Sequence, residues 1–206
     1  MSMRSLLVIS LVLCAAASWA QEKAAPAAAP VAGTPVTLEN PGFEKPDISS
    51  GAAVGAKPDA WFPFASTPVN KVGVSDARKK TGSQSLMFKA QTEPNAYQGM
   101  AQKFTAKSGA HYTFVIYAMG EANDPITGNA YGQIHFEFQD AAGKEIGRIH
   151  GPTWDFQLPS TRWEKFYVDA DAPEGAASGS AVVTFFSQDC AGVGTFYVDD
   201  VELSTR

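Results

Sequence analysis

Apolar and polar residues alternate with a period of two along most of this chain. Residues 132–139 show it best: Ile134, Phe136 and Phe138 fall on one side, and Gln133, His135, Glu137 and Gln139 on the other. Asp140-Ala-Ala-Gly143 then reads as a turn, and 145–149 as the return strand of a hairpin. Further strands are predicted over 85–89, 99–104, 111–118, 163–168, 180–186 and 194–203, of which 111–118 is the clearest, dense in aromatic and β-branched residues. No stretch keeps a helical period for three turns. Short strands separated by Gly and Pro turns predict an all-β antiparallel β-sandwich of the jelly-roll type. In 111–118, Tyr112, Phe114 and Ile116 form one face; if that face is core, Tyr117 is expected to share the face of His135.

The pattern fails at the start of the chain. Arg4, the apolar run 6–17 and Ser18-Trp-Ala20 predict a secretory signal peptide over 1–20, with Gln21 as the mature N-terminus. Residues 21–36 are rich in Ala and Pro, which blocks regular structure and predicts a tether. Residues 37–206 are left as one domain, long enough to bury about two-thirds of its unfolded surface without a disulfide. Cys190, the cysteine left after cleavage, is expected to be a small core residue. The expected location is the periplasm or outside the cell. The formal charge is −5, and loss of Arg4 takes it to −6, which argues against nucleic-acid binding.

Charge changes the picture at the two ends of the domain. The strand 194–203 carries Asp199 and Asp200 in its middle, and Glu44 follows Asn40-Pro-Gly-Phe43 near the start. No Lys or Arg lies within either segment, and a carboxylate on a buried strand needs a positive partner. A hard cation between Glu44 and Asp199 answers that charge. Calcium, which takes six to eight oxygens, is the expected ion, with a structural role.

An ordered series of motifs resembles the family 4/9 carbohydrate-binding modules, which share the galactose-binding-like jelly roll. The motifs are Leu38-Glu-Asn-Pro-Gly-Phe-Glu44, Pro58-Asp-Ala-Trp61, Thr81-Gly-Ser-Gln-Ser-Leu86, Tyr97-Gln-Gly-Met-Ala-Gln102, Gly109-Ala-His-Tyr112 and Phe196-Tyr-Val-Asp-Asp-Val201. The resemblance implies that backbone carbonyls around Lys80 and Ser83 complete the calcium site. It also implies that Asp199, directly after Val198, is the ligand rather than Asp200.

Sugars present C–H faces and hydroxyl edges, so a sugar groove needs flat aromatics beside amides and carboxylates. Gln133, His135 and Glu137 supply the polar half on one strand face, with Tyr117 beside them and Tyr131, Trp154 and Trp61 as candidate platforms. The same row also reads as an ordinary solvated sheet face. His135 and Glu137 have the spacing of an acid–base pair, but His111 and His150 fall on other segments, and no nucleophile elbow or phosphate loop is present. The expectation is therefore a non-catalytic module that binds a polysaccharide or oligosaccharide. The alternative is a cell-envelope module of the same fold that docks a protein partner.

Overall fold

The computed structural model describes residues 33–51, 53–68, 71–187 and 193–206. The expected signal peptide 1–20, most of the expected tether and Cys190 lie outside the described residues. Eleven strands follow one another: β1 (Thr34–Pro35), β2 (Phe62–Ala65), β3 (Val72–Ser75), β4 (Ser85–Lys89), β5 (Tyr97–Thr105), β6 (His111–Gly120), β7 (Ala130–Gln139), β8 (Glu145–Trp154), β9 (Glu164–Asp171), β10 (Ser178–Ser187) and β11 (Thr195–Thr205). One 3₁₀ turn, Ile48–Ser50, is capped by the Asp47 side chain. Every strand pair is antiparallel, and the strands form two sheets. One runs β3-β4-β11-β6-β9 with β1 added to β11; the other runs β2-β5-β10-β7-β8. The fold is an antiparallel β-sandwich, as the alternation predicts.

The facing sides of the sheets enclose a core of aromatic rings. Ile134, Phe136 and Phe138 of β7 are all fully buried there, as are Phe114 and Ile116 of β6. Phe196 of β11 stacks on Phe88 at 4.7 Å and meets Phe185 of β10 edge-on at 4.9 Å. Each such side chain contributes about 1.5–3 kcal/mol by leaving water, so the period-two pattern fixes which face turns inward.

Three of the strands missing from the sequence reading share a cause, whereas β3 is too short, at four residues, to show a pattern. β1, β2 and the second half of β8 contain Pro35, Pro63 and Pro152. Proline lacks a ladder donor, so it demotes a strand in sequence yet is tolerated at a sheet edge. β2 and β8 are the two edges of the five-stranded sheet. The boundary between tether and domain also moves. Thr34 and Pro35 pair with Thr205 and Ser204, and the Val36 amide donates to the Leu203 carbonyl at 2.8 Å. The sandwich therefore takes in the last residues of the expected tether.

β11 breaks register between Asp199 and Glu202, where Asp200 has φ 47°. The bulge leaves the Val201 amide free of the ladder, and it donates to the Pro41 carbonyl at 3.0 Å. The opening loop is thus pinned against the middle of the last strand.

Candidate functional site

Two places bring predicted site residues together. The first is this junction of the opening loop, the β3–β4 turn and the β11 bulge. Asp199 is fully buried; its Oδ2 accepts from the Lys80 amide at 2.7 Å and the Thr81 amide at 3.2 Å, and its Oδ1 accepts from the Asp200 amide at 2.8 Å. Glu44 accepts from the Ser83 hydroxyl at 2.6 Å and the Ser83 amide at 3.1 Å. One turn, residues 80–83, therefore joins the two carboxylates. A Cβ placed on Gly42 would lie 3.8 Å from Asp199 Oδ1 and 4.0 Å from Glu44 Oε1, so both oxygens border the same space.

Among the described residues no side-chain cation forms an ion pair with Asp199. The Lys80 ammonium pairs instead with Asp200 at 2.8 Å and lies 4.0 Å from the centre of the Tyr117 ring. Burial pushes the Asp199 carboxyl up to about 6, against the pull of its three amide donors. A buried anion facing a second carboxylate suits a hard divalent cation. Among the described residues no three acidic, His or Cys side chains form a metal cluster, so such an ion would also need backbone carbonyls and water.

The second place is the outer face of the five-stranded sheet. Tyr131, Gln133, His135 and Glu137 lie on it, since their neighbours Ile134 and Phe136 fill the core. β10 presents Val182, Thr184 and Phe186 on that face, with Thr184 opposite Gln133 and Phe186 between Tyr131 and Tyr97. Four rings from four strands run across the sheet. Phe64 lies 6.4 Å from Tyr97, Tyr97 6.3 Å from Phe186, and Phe186 stacks on Tyr131 at 5.0 Å. Gly99 makes room for the first of them, because a Cβ there would meet the Phe64 ring at 2.2 Å.

Beside the rings sits a charged and polar row. Glu137 Oε1 accepts from His135 Nε2 at 3.3 Å and from Arg148 Nη2 at 2.9 Å. Arg148 also reaches Glu145 through Nε at 3.1 Å and Nη2 at 2.9 Å. The hydrogen bond from His135, helped by the Arg148 charge, holds the Glu137 carboxyl below its ordinary value. His150 stands opposite His135 across the hairpin, 5.6 Å between ring centres, with its Nδ1 3.1 Å from Gln133 Oε1. Burial, then the neighbouring His135 and Arg148, push the His150 imidazole down, so it is neutral at pH 7. A groove of about 300 Å³ runs between Phe64, Tyr97 and Phe186 on one side and Glu137 and Arg148 on the other. His135 and Thr184 also line it.

Three predicted platforms are elsewhere. Tyr117 lies on β6, whose Tyr112, Phe114 and Ile116 do face the core, but β6 belongs to the other sheet. Its ring therefore points away from His135, toward Lys80. Trp61 is 0% exposed, tilted on Phe43 at 5.1 Å, with its Nε1 donating to the Asn40 carbonyl at 3.3 Å. Trp154 is buried between Phe166 at 4.7 Å and Phe196 at 5.3 Å, on the core side of Gly132. Sequence reasoning missed Phe64, Tyr97, Phe186, Thr184, Arg148 and His150. Residues 180–186 carry Val and Phe on both faces, which blurs the signal of direction. His150 meets His135 only because a register shift in the hairpin brings it there.

No family model matches the chain, and no curated protein does. Solved structures match the fold. The CBM22-1 xylan-binding domain of Paenibacillus barcinonensis Xyn10C superposes with a TM-score of 0.56 at 16% identity, covering 85% of this chain and 97% of that one. An arabinose-bound GH51 α-L-arabinofuranosidase, MgGH51, gives 0.60 at 16% identity, with 84% of this chain and 27% of the enzyme covered. The enzymatically active domain of bacteriophage CBA120 tailspike protein 4 gives 0.55 at 12% identity, with 82% and 21% covered. The chain thus spans only 27% and 21% of the two enzymes and nearly all of the xylan-binding domain. The sandwich shares its fold with that xylan-binding domain and with a part of each enzyme.

Proposed function

We propose that this protein binds a polysaccharide along the outer face of the five-stranded sheet, without catalysing its turnover. The observation that carries the reading is the row of rings Phe64, Tyr97, Phe186 and Tyr131 laid beside Gln133, His135, Glu137 and Arg148. Rings stack on the apolar faces of sugar units, while amides, imidazole and carboxylate take the hydroxyls. The groove is open, so affinity is expected between micromolar and millimolar, about −8 to −4 kcal/mol. Glu137 makes a poor general acid, because its proton is already disfavoured by His135 and Arg148.

The reading includes kinship with families 4 and 9, export by residues 1–20, and a calcium ion held by Glu44 and Asp199 with carbonyls of Lys80 and Ser83. The ion would neutralise two carboxylates and tie the opening loop to β11. Among the described residues no helix is long and apolar enough to cross a membrane.

Xylan is the first ligand to test, since one structural neighbour is a xylan-binding domain. Affinity electrophoresis through gels containing xylan, β-glucan or galactan is expected to retard the protein. Tyr97→Ala, which removes an exposed ring from the middle of the row, is expected to abolish the retardation. Unretarded migration of the wild type in every gel would overturn the reading. It would instead favour an envelope-protein partner docking at Phe62, which is 62% exposed on the outermost strand of this face.

A further inference from the structure

We propose that the floor of the groove holds one ligand hydroxyl between His135 and Thr184, and that the ligand is an uncharged polysaccharide with that hydroxyl free. The inference rests on the carbohydrate reading above and assigns two residues a role in it. His135 Nδ1 and Thr184 Oγ1 are buried side-chain polar atoms with no hydrogen-bond partner. Their residues are 2% and 1% exposed, and both line the groove.

The protonation pattern sets what each atom offers. Glu137 is ionised at neutral pH and can only accept, so the hydrogen between it and His135 sits on Nε2. In the neutral ring, Nδ1 then carries a lone pair. Thr184 offers a hydroxyl hydrogen. A sugar hydroxyl both donates and accepts, so a single one satisfies the two atoms together. The residues are diagonal neighbours on adjoining strands, because Val182 faces His135 while Thr184 faces Gln133. Diagonal neighbours stand about 7 Å apart at Cβ, which leaves room for one oxygen between their tips. Tyr97, 42% exposed, and the half-exposed Arg148 are the exposed side chains at the edge of this floor.

Charge sets the ligand class. Arg148 is the cation in the lining, and Glu137 and Glu145 already engage it. A uronate would meet the Glu137 carboxylate without a free cation to offset it.

The test uses affinity electrophoresis of the full chain on neutral xylan, β-glucan and galactan and on anionic polygalacturonate, with melting temperature measured in parallel. Thr184→Val replaces an orphaned hydroxyl with a methyl group. It is expected to bind the retained neutral polysaccharide at least tenfold more weakly while melting no lower than wild type. Thr184→Ser, which keeps the hydroxyl, is expected to bind within a few-fold of wild type. On the unmodified protein, a methyl-etherified form of the same polysaccharide is expected not to be retained. Unchanged binding by Thr184→Val, with Tyr97→Ala inactive, would overturn the hydroxyl assignment and leave the binding face standing. Equal retention of the methyl ether would do the same, whether or not Thr184→Val folds. Stronger retention on polygalacturonate would overturn the ligand class. A wild type that binds no polysaccharide would overturn both this inference and the reading beneath it.

Discussion

Glu137 Oε1 takes hydrogen bonds from His135 and Arg148 at once, and that fixes a pH dependence. The native carboxyl titrates below its ordinary value of about 4.3. The unfolded chain then binds more protons than the native one, so stability rises with pH across that window. The contribution is fully present above about pH 4.3 and is lost as pH falls through the lower native value. Glu137→Gln is therefore expected to unfold more readily than wild type at pH 7, with a gap in urea midpoint that narrows as pH drops from about 5 to 3. A gap that stays constant over that range would show that the carboxylate charge is not what His135 and Arg148 hold. At this scale the sequence reveals side-chain type but not partner. Residues 132–139 alone put His135 and Glu137 on one face, whereas Arg148 and His150 join them only through pairing across the hairpin.

Strands show the same division between what alternation records and what it omits. β7 is legible because its two faces differ in kind, with Ile134, Phe136 and Phe138 against Gln133, His135 and Glu137. β10 is not, because Val182 and Phe186 on the outer face look like Val183 and Phe185 on the inner one. The wrong placement of Tyr117 has a different origin. The alternation in 111–118 gives its own strand and core face, but the assignment of β6 and β7 to separate sheets is a long-range property that no local pattern carries. Trp154 is not legible as a core residue because Pro152 masks the second half of β8, whose end folds the indole under β7. That packing makes a test. A Cβ on Gly132 would fall 2.2 Å from the Trp154 ring, which is itself held between Phe166 and Phe196. Gly132→Ala is expected to lower stability by about 1–3 kcal/mol through overpacking. It should also weaken binding, because displacing Trp154 moves the β7–β8 hairpin that carries Arg148. A urea midpoint equal to wild type would mean that the ring has somewhere else to go.

Across the whole molecule, the opening loop and the last strand are neighbours through main-chain bonds that need no ion: Val36 to Leu203, and Val201 to Pro41. The adjacency of Glu44 and Asp199 that the sequence suggested is therefore built into the sandwich. The proposed calcium would act on a junction already formed, so its effect belongs in stability rather than in fold. An ion that binds only the native state adds about 2.7 kcal/mol at a hundred times its dissociation constant. For a domain of this size each kcal/mol moves the melting point by about 2–4 °C. Saturating calcium is thus expected to raise the melting temperature by roughly 5–10 °C over protein treated with chelator. Magnesium is expected to do less, because it demands a small octahedral shell that two carboxylates and a turn do not supply. Asp199→Asn and Glu44→Gln each remove one anionic ligand and should abolish the calcium-dependent difference, whatever they do to the melting point itself. The difference between calcium and chelator is the decisive quantity, because Asp199 also accepts three amide hydrogens and its loss is destabilising without any ion. Identical melting curves for wild type in calcium and in chelator would leave the main-chain bonds as the tie between the two ends. The buried Asp199 would then depend on the amides of Lys80, Thr81 and Asp200 alone.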